Sequence, residues 1–483
     1  VIKVPARQKI AWGVGGLADS LMSNSIMQLA LPIYNIALGV SPALISIALG
    51  VPRFLDAIVD PIMGNITDNT RSRWGRRRPY IALGAILTSL LFVILWMPPT
   101  SWSQHWLFGY FLVVSTLYFF SYTIFFIPQN ALGFELSNDY NERTSVMAYR
   151  SFISSFAGFI MPWIYKLCFR PEFGHNEVEG VRVVAILFGI VMLVCGLVPA
   201  IFCTEKVQGQ AQPKIPIKQA FLYTVQNRAF LLLAGVVFTI LIGLFIVAPF
   251  ATYINIYYIL HGNKEAAATI GGVGGTVYAV LGLASVPLVS WLARVWGKRR
   301  TLITAQILVL FASLMCWFLF TPKYPYLQLV YMVLACPGLT CVWILTGSML
   351  ADVCDVDELK SGLRREGMYG AVFALVFKAG IGAVMVLSGF IVQLSGFDAL
   401  NPTSIVSMTG VFRMRVMFAV VPAVCLAISA YLTFLFPITE ASARKVRATL
   451  DERKAQADAD EAAVEADKAQ AIMGAQLAPE GAV

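Results

Sequence analysis

The chain has 483 residues, 58% hydrophobic and 13% charged, with a formal net charge of +9 and a mean hydropathy of +0.72. Soluble globular chains carry about 45–50% apolar and about 25% charged residues, which excludes an ordinary cytosolic enzyme, a secreted disulfide scaffold and a disordered protein. Unbroken apolar runs such as 81–98 and 229–249 also exclude an outer-membrane barrel, whose strands alternate. An all-α polytopic membrane protein remains.

The basic balance needs no nucleic-acid partner, because Lys and Arg in cytoplasmic loops orient membrane helices. The eight cysteines stand singly and read as small buried hydrophobes rather than metal ligands or disulfides. His105, His175 and His261 fall in or near loops, so neither a metal site nor a catalytic constellation is expected. Lys3, Arg7 and Lys9 precede the first long apolar run, which does not read as a cleavable signal peptide.

A helix needs about 20 apolar residues to cross a bilayer core. Apolar runs between charged or Pro/Gly breaks predict twelve spans, at about 10–37, 41–68, 79–99, 104–135, 145–169, 181–203, 228–260, 265–293, 299–320, 324–353, 367–396 and 412–437. Most of the 36 Lys and Arg fall in the N-terminus, in the loops after even-numbered spans and in the C-terminal tail. Both termini are therefore expected in the cytoplasm. The polar, proline-containing stretch 204–227 divides the chain into six-helix bundles at 1–203 and 228–437. Residues 438–483 form a charged cytoplasmic tail. Trp74-Gly75-Arg76-Arg77-Arg78 after span two reappears as Trp296-Gly297-Lys298-Arg299-Arg300 after span eight. Repeated six-span halves describe a transporter with its solute site between them; the alternative is two unrelated basic loops.

Charges inside spans are functional candidates, each costing at least about 2.5–3.5 kcal/mol. Span two carries Arg53, Asp56 and Asp60. The two carboxylates, four residues apart, share one helix face, where they would share a proton or hold a cation. A static Arg53–Asp56 salt bridge is the plainer reading, and it leaves Asp60 unpartnered. Lys378, in span eleven, has no neutralising residue within a turn and is expected to reach across to Asp56 or Asp60. Arg150, near the start of span five, reads as a gate residue or a solute ligand. Asp19 reads equally as structural or functional, with Gly15 and Gly16 beside it suggesting close packing. Charges flanking span four (Glu135, Asp139, Glu142, Arg143) and span ten (Asp352, Asp355, Asp357, Glu358, Arg364, Arg365) are solvated faces or gating salt bridges.

The string Arg53-Phe54-Leu55-Asp56-Ala57-Ile58-Val59-Asp60-Pro61-Ile62-Met63-Gly64, continuing to Trp74-Gly75-Arg76-Arg77-Arg78-Pro79, resembles the glycoside–pentoside–hexuronide:cation symporter family of the major facilitator superfamily. Tyr122-Thr123-Ile124, Ile127-Pro128, Ala157-Gly158-Phe159, Ala351-Asp352-Val353-Cys354-Asp355 and Lys378-Ala379-Gly380 extend the resemblance over both halves. It implies a cation site at Asp56, Asp60 and Thr123, with Lys378 and Arg53 coupling and Arg150 and Trp343 at the solute. Other family solute positions fall on Ser20, Phe126, Asn130 and Phe373, where the family's acids, tryptophan and glutamine are replaced. The family's asparagine between the two carboxylates is Val59 here.

The resemblance implies a symporter of a sugar-like solute. Arg150 and Lys378 among aromatics, without the family's offsetting acids, suggest an anionic or amphipathic glycoside or uronide. The alternative is a same-fold carrier of an amphipathic organic anion or lipid-like solute. Ordinary packing is the plainer reading of Phe126 and Phe373. Val59 supplies no ligand oxygen, so a proton is favoured over sodium as the coupling ion. No other cofactor is expected. The expected partners are the solute, the coupling cation and the lipid bilayer, for a monomer in the plasma membrane (the bacterial inner membrane).

Overall fold

The computed structural model describes residues 4–137, 140–205, 224, 226–362, 366–394, 408–450, 452–453 and 456. Twelve long helices follow in chain order among these residues. They are α1 (Ala6–Ala30), α2 (Pro42–Asn69), α3 (Arg78–Leu95), α4 (Gln104–Glu135), α5 (Tyr140–Ile160) and α6 (Glu177–Phe202), then α7 (Arg228–Phe245), α8 (Lys264–Trp296), α9 (Lys298–Leu319), α10 (Leu329–Ser361), α11 (Glu366–Leu394) and α12 (Met408–Leu435). Most of the loop 204–227 and most of the tail 438–483 lie outside the described residues, as do Asp139, Arg364 and Arg365.

Nine of the described helical segments are long and apolar enough to cross a membrane, or ten if α2 counts as one bent span. Helices α1 and α5 are too polar to meet that measure. Arg7, Lys9 and Asp19 lie on α1; Glu142, Arg143 and Arg150 lie on α5. The two parts of α2, Pro42–Asp56 and Ile58–Asn69, make an angle of 43°. Pro61 lacks the N–H that would bond the carbonyl at 57, and its ring crowds that carbonyl. Asp56 and Asp60 therefore flank a kink.

Local sequence sets several helix limits. Asn176, Asn227 and Asn263 accept backbone N–H groups at the starts of α6, α7 and α8, as N-cap residues do. Span five stops early as an α-helix because Pro162 interrupts it, leaving a 3₁₀ turn Met161–Trp163 and a short helix Ile164–Leu167. Span seven is broken after Phe245 and resumes as Ala248–Tyr253, with Pro249 in its first turn. A π-helical segment, Ile254–Ile259, follows; a matching one, Leu31–Ala37, extends α1. Span ten runs on to Ser361, beyond the expected 353. Its last turns are charged and solvated, and Gly362 ends the helix in the left-handed conformation.

One buried apolar cluster joins α1–α6, with Ala268 as its contribution from α8. A second joins residues of α7–α12. The basic repeat folds alike in both halves. Gly75 (φ +101°) and Gly297 (φ +81°) take backbone conformations that favour glycine. Arg76 and Arg77 pair with Glu135 at the end of α4, and Lys298 pairs with Asp352 near the end of α10. The Glu205 carboxylate, just after α6, accepts the backbone N–H groups of Arg76, Arg77 and Arg78 at 2.7–2.9 Å. This basic end of the molecule also holds the described N-terminal residues, through Lys9 with Glu142 and Gln8 with Thr204.

Candidate functional site

The kinked α2 presents Asp56 and Asp60 to Thr123 of α4. Thr123 Oγ1 lies 3.5 Å from Asp56 Oδ1 and 3.3 Å from Asp60 Oδ1. Asp56 and Thr123 are both buried. Arg53, one turn before, approaches Asp56 Oδ2 at 3.6 Å, and its guanidinium lies 4.4 Å from the Phe119 ring centroid. Lys378 of α11 crosses between the halves and forms an ion pair with the other Asp60 oxygen, Oδ2. Asp60 is thus not the partnerless carboxylate that a static Arg53–Asp56 pair would leave. Two carboxylates and one hydroxyl converge on a single point, and a cationic side chain from the opposite half touches one of them.

A second polar cluster lies beside the first. Arg150 Nη2 bonds Asp19 Oδ2 at 2.9 Å, and Tyr122 donates its hydroxyl to Asp19 Oδ1 at 2.6 Å. Arg150 lies three turns inside α5, because that helix begins at Tyr140. Its guanidinium stands 5.1 Å from the Trp12 ring centroid. Trp12 and Gln129 lock together, each donating a side-chain N–H to the other's carbonyl at 2.8 and 3.1 Å. Gly16 makes this possible: a Cβ there would lie 2.7 Å from Arg150 Cγ. Gly15 does the same for Gln129, with a gap of 2.2 Å.

The two clusters share α4. Tyr122 and Phe126, one turn apart, stack with centroids 5.4 Å apart. Lys378 Nζ lies over the Phe126 ring, 5.5 Å from its centroid, within cation–π range. Phe126 therefore replaces an acid with an aromatic surface under a lysine. The family's acids are replaced here, yet both cations are paired: Lys378 reaches Asp60, one of its two expected partners, and Arg150 pairs with Asp19, which was not expected. The three cations Arg53, Arg150 and Lys378 meet the three carboxylates Asp56, Asp19 and Asp60.

The remaining expected solute residues are not all brought here. Phe373 is corrected: it packs toward α7, near Phe230, Ala234 and Phe238. Five helical residues turn it about 140° away from Lys378. Trp343 is 39% exposed and meets Phe377 edge-on. Asn130 is half-buried with no hydrogen-bond partner among the described residues. Ser20 lines a cavity of about 750 Å³ beyond Asp19 and Arg150, with Asn24 and Gln28 at successive turns of α1. Its lining comes from both halves and includes no charged residue; Thr252, Asn255, Tyr278 and Gln328 are the polar groups of its opposite wall. Tyr122, Trp12, Gln129, Asn24 and Gln28 were missed from sequence. The one available signal was the four-residue polar spacing along α1.

This cavity is closed at the end away from the basic loops by contacts between the halves. Trp163 donates to Thr276 at 2.8 Å, and Tyr253 donates to Asn35 at 2.7 Å. Lys264 pairs with Glu177 at 2.5 Å and Lys166 with Glu265 at 2.6 Å. A Cβ on Gly275 would fall 2.2 Å from Pro162 Cγ, so α8 and the 3₁₀ turn after α5 touch nearly backbone to ring. The flanking charges of spans four and ten pair within their own halves: Glu135 with Arg76 and Arg77, Glu142 with Lys9, Asp352 with Lys298, and Asp355 with Arg447.

Residues 11–440 match the MFS/sugar transport protein family. The chain belongs to that family. It is a transport protein, not an enzyme, and a polytopic protein of the plasma membrane, the inner membrane in bacteria. Inner membrane symporter YicJ of Escherichia coli is 25% identical, over 88% of this chain and 90% of its own. The isoprimeverose transporter of Lactiplantibacillus pentosus is 24% identical, over 93% and 92%. A bacterial homologue of the human lysosomal transporter Spinster, solved inward-facing and unoccupied, superposes with a TM-score of 0.62 at 17% identity, covering 89% of this chain and 95% of that one. These matches agree with the resemblance to glycoside–pentoside–hexuronide:cation symporters.

Proposed function

We propose that the chain is a cation-coupled symporter that imports a sugar-like solute by alternating access. In this reading twelve helices span the membrane as two halves, 1–203 and 228–437. The loop 204–227, the tail 438–483 and both termini face the cytoplasm. The contacts from Trp163, Tyr253, Lys264 and Lys166 then close the outer side, and the molecule faces inward.

One observation carries the reading: Lys378 of one half sits on Asp60 of the other, beside Asp56 and Thr123. A cation or proton on Asp60 removes the attraction that holds Lys378. The α2–α11 seam then loosens in one loading state and tightens in the other. Coupling needs such a difference between states. Tyr122 and Phe126 supply a packed connection from this pair to Asp19 and Arg150.

The Asp19–Arg150 pair offers adjacent acceptor and donor groups, which suits a pair of sugar hydroxyls. The uncharged lining of the larger cavity supports the same solute class. An anionic glycoside or uronide, or an amphipathic organic anion, would have to draw Arg150 away from Asp19. Competition among neutral glycosides, uronides and amphipathic anions for counterflow in proteoliposomes decides between them.

A proton is favoured as the coupling ion. Sodium wants several hard oxygen ligands. Asp56, Asp60 and Thr123 supply three, and Val59 adds none. A proton needs one carboxylate. The deciding experiment drives uptake separately with an imposed pH gradient and an imposed sodium gradient. Uptake from the pH gradient alone is expected; strong sodium stimulation at fixed pH without it overturns the choice of ion. No accumulation under either gradient overturns the symporter.

A further inference from the structure

A cavity of about 340 Å³ at the basic end of α8–α10 and the segment after α12 has no part in the solute pathway. Its size falls within the ~300–1,000 Å³ of small-molecule sites. Charge bookkeeping leaves it positive. Lys298 is held by Asp352, Arg447 by Asp355 and Arg444 by Glu440. Arg294 and Arg299 also line it, and neither has a carboxylate partner among the described residues. Arg299 instead donates one nitrogen to the Phe434 carbonyl and lies over that ring.

The repeat shows what is unusual here. In the first half, Glu205 accepts three backbone N–H groups beside Gly75. Its counterpart, Glu440, lies against Gly297, but its carboxylate accepts from Arg444 and from no backbone N–H at the start of α9 among the described residues. Lys298 and Arg299, the first two residues of α9, line the cavity with Arg294. Arg294 and Arg299 are its guanidinium groups without a carboxylate partner among the described residues, and they give it a field that attracts anions.

The adjoining surface says what kind of anion. Leu288, Trp291 and Val295 are exposed and share the α8 face that carries Arg294, at spacings of three and four residues. An amphiphile could lay its chains on that strip and its head in the cavity. Basic pockets between membrane helices hold phospholipid head groups.

We propose that this cavity binds the phosphate of an anionic phospholipid, with Arg294 and Arg299 as its ligands. Occupancy ties the segment after α12 to α8 and α9 at the membrane surface. The site stands apart from the solute reading and is testable without transport.

The test uses the purified full chain in phosphatidylcholine nanodiscs. Phosphatidylglycerol is titrated in, with native mass spectrometry reading bound lipid and thermal unfolding reading stabilisation. Saturable binding and a raised Tm are expected for phosphatidylglycerol and for neither added phosphatidylcholine nor soluble glycerol phosphate. Arg294→Gln, which breaks no internal ion pair, should weaken phosphatidylglycerol about fivefold. Ala443→Phe, which fills the cavity without altering charge, should abolish the saturable binding. Equal behaviour of the two lipids, or wild-type affinity in both variants, overturns the site. Equal stabilisation by glycerol phosphate overturns the lipid assignment and leaves a soluble-anion pocket.

Discussion

Lys378 and Asp60 lie 318 residues apart in the chain and form an ion pair between α11 and α2. The pair is partly shielded from solvent, so removing one partner costs more than at an exposed pair and less than the roughly 3–5 kcal/mol of a fully buried one. Lys378→Ala and Asp60→Asn should each lower Tm. The double variant should recover part of the loss, because neither charge is then left alone. A strictly additive double-mutant cycle in thermal unfolding would contradict the pairing.

The same two variants should separate coupling from passage. Asp60→Asn should abolish uphill accumulation and spare solute exchange, which needs no net cation movement. Asp56→Asn should do likewise. Lys378→Ala leaves Asp56 and Asp60 with one competitor fewer, so the coupling ion binds more tightly and concentrative uptake falls. Accumulation and counterflow in proteoliposomes read both. Normal accumulation in both aspartate variants would remove the ion site.

Tyr122 gives a way to weaken the solute cluster without touching the ion site. Tyr122→Phe keeps the ring stacked on Phe126 and deletes the hydroxyl that bonds Asp19. A hydrogen bond to a charged group contributes about 1.5–3 kcal/mol. Half-saturation for solute should therefore rise at least about tenfold, while the number of ions moved per solute stays constant. A changed stoichiometry with unchanged affinity would reverse the assignment of Tyr122.

Val59 faces the question of ion identity. Val59→Asn places an amide between Asp56 and Asp60 in sequence and adds a neutral oxygen ligand. Sodium stimulation of uptake at fixed pH should appear or increase. Its absence, in a variant that still transports, would mean that the site is not limited by ligand number.

Gly275 controls the closed face. Gly275→Val must push α8 and the 3₁₀ turn Met161–Trp163 apart, since even one added carbon would lie 2.2 Å from Pro162 Cγ. The variant should favour the outward-open state. Labelling of a cysteine placed at Gln28 by a membrane-impermeant reagent from outside should speed up several-fold.

The start of α7 was readable in the sequence, because its apolar run begins directly after Asn227; the start of α6 after Asn176 and the end of α10 at Gly362 were not, because charged turns separate them from the apolar runs. Asp56, Asp60 and Lys378 announced themselves by the cost of burying charge. The partner of Arg150 did not, because Asp19 is 131 residues away and no local periodicity links α1 to α5. Gly15 and Gly16 marked the close approach without naming what approaches. Phe373 was assigned through resemblance alone; its helical phase relative to Lys378 already argued against the assignment. The break in span seven was foreshadowed by Pro249, but its π-helical continuation has no signature in residue type.

Those wide turns, Leu31–Ala37 and Ile254–Ile259, sit at matching places in the two halves, and Asn35 of the first accepts from Tyr253, the residue just before the second. A π turn closes its hydrogen bonds over five residues where an α turn uses four, so each segment holds about one residue of slack. That slack makes the seal adjustable in length. A one-residue deletion within Leu31–Ala37 can be absorbed by a return to α-helical winding, leaving α2 in register. The same deletion inside an ordinary α turn would swing every following side chain by about 100°. That seal is thus a place where the chain can lose a residue and keep its fold.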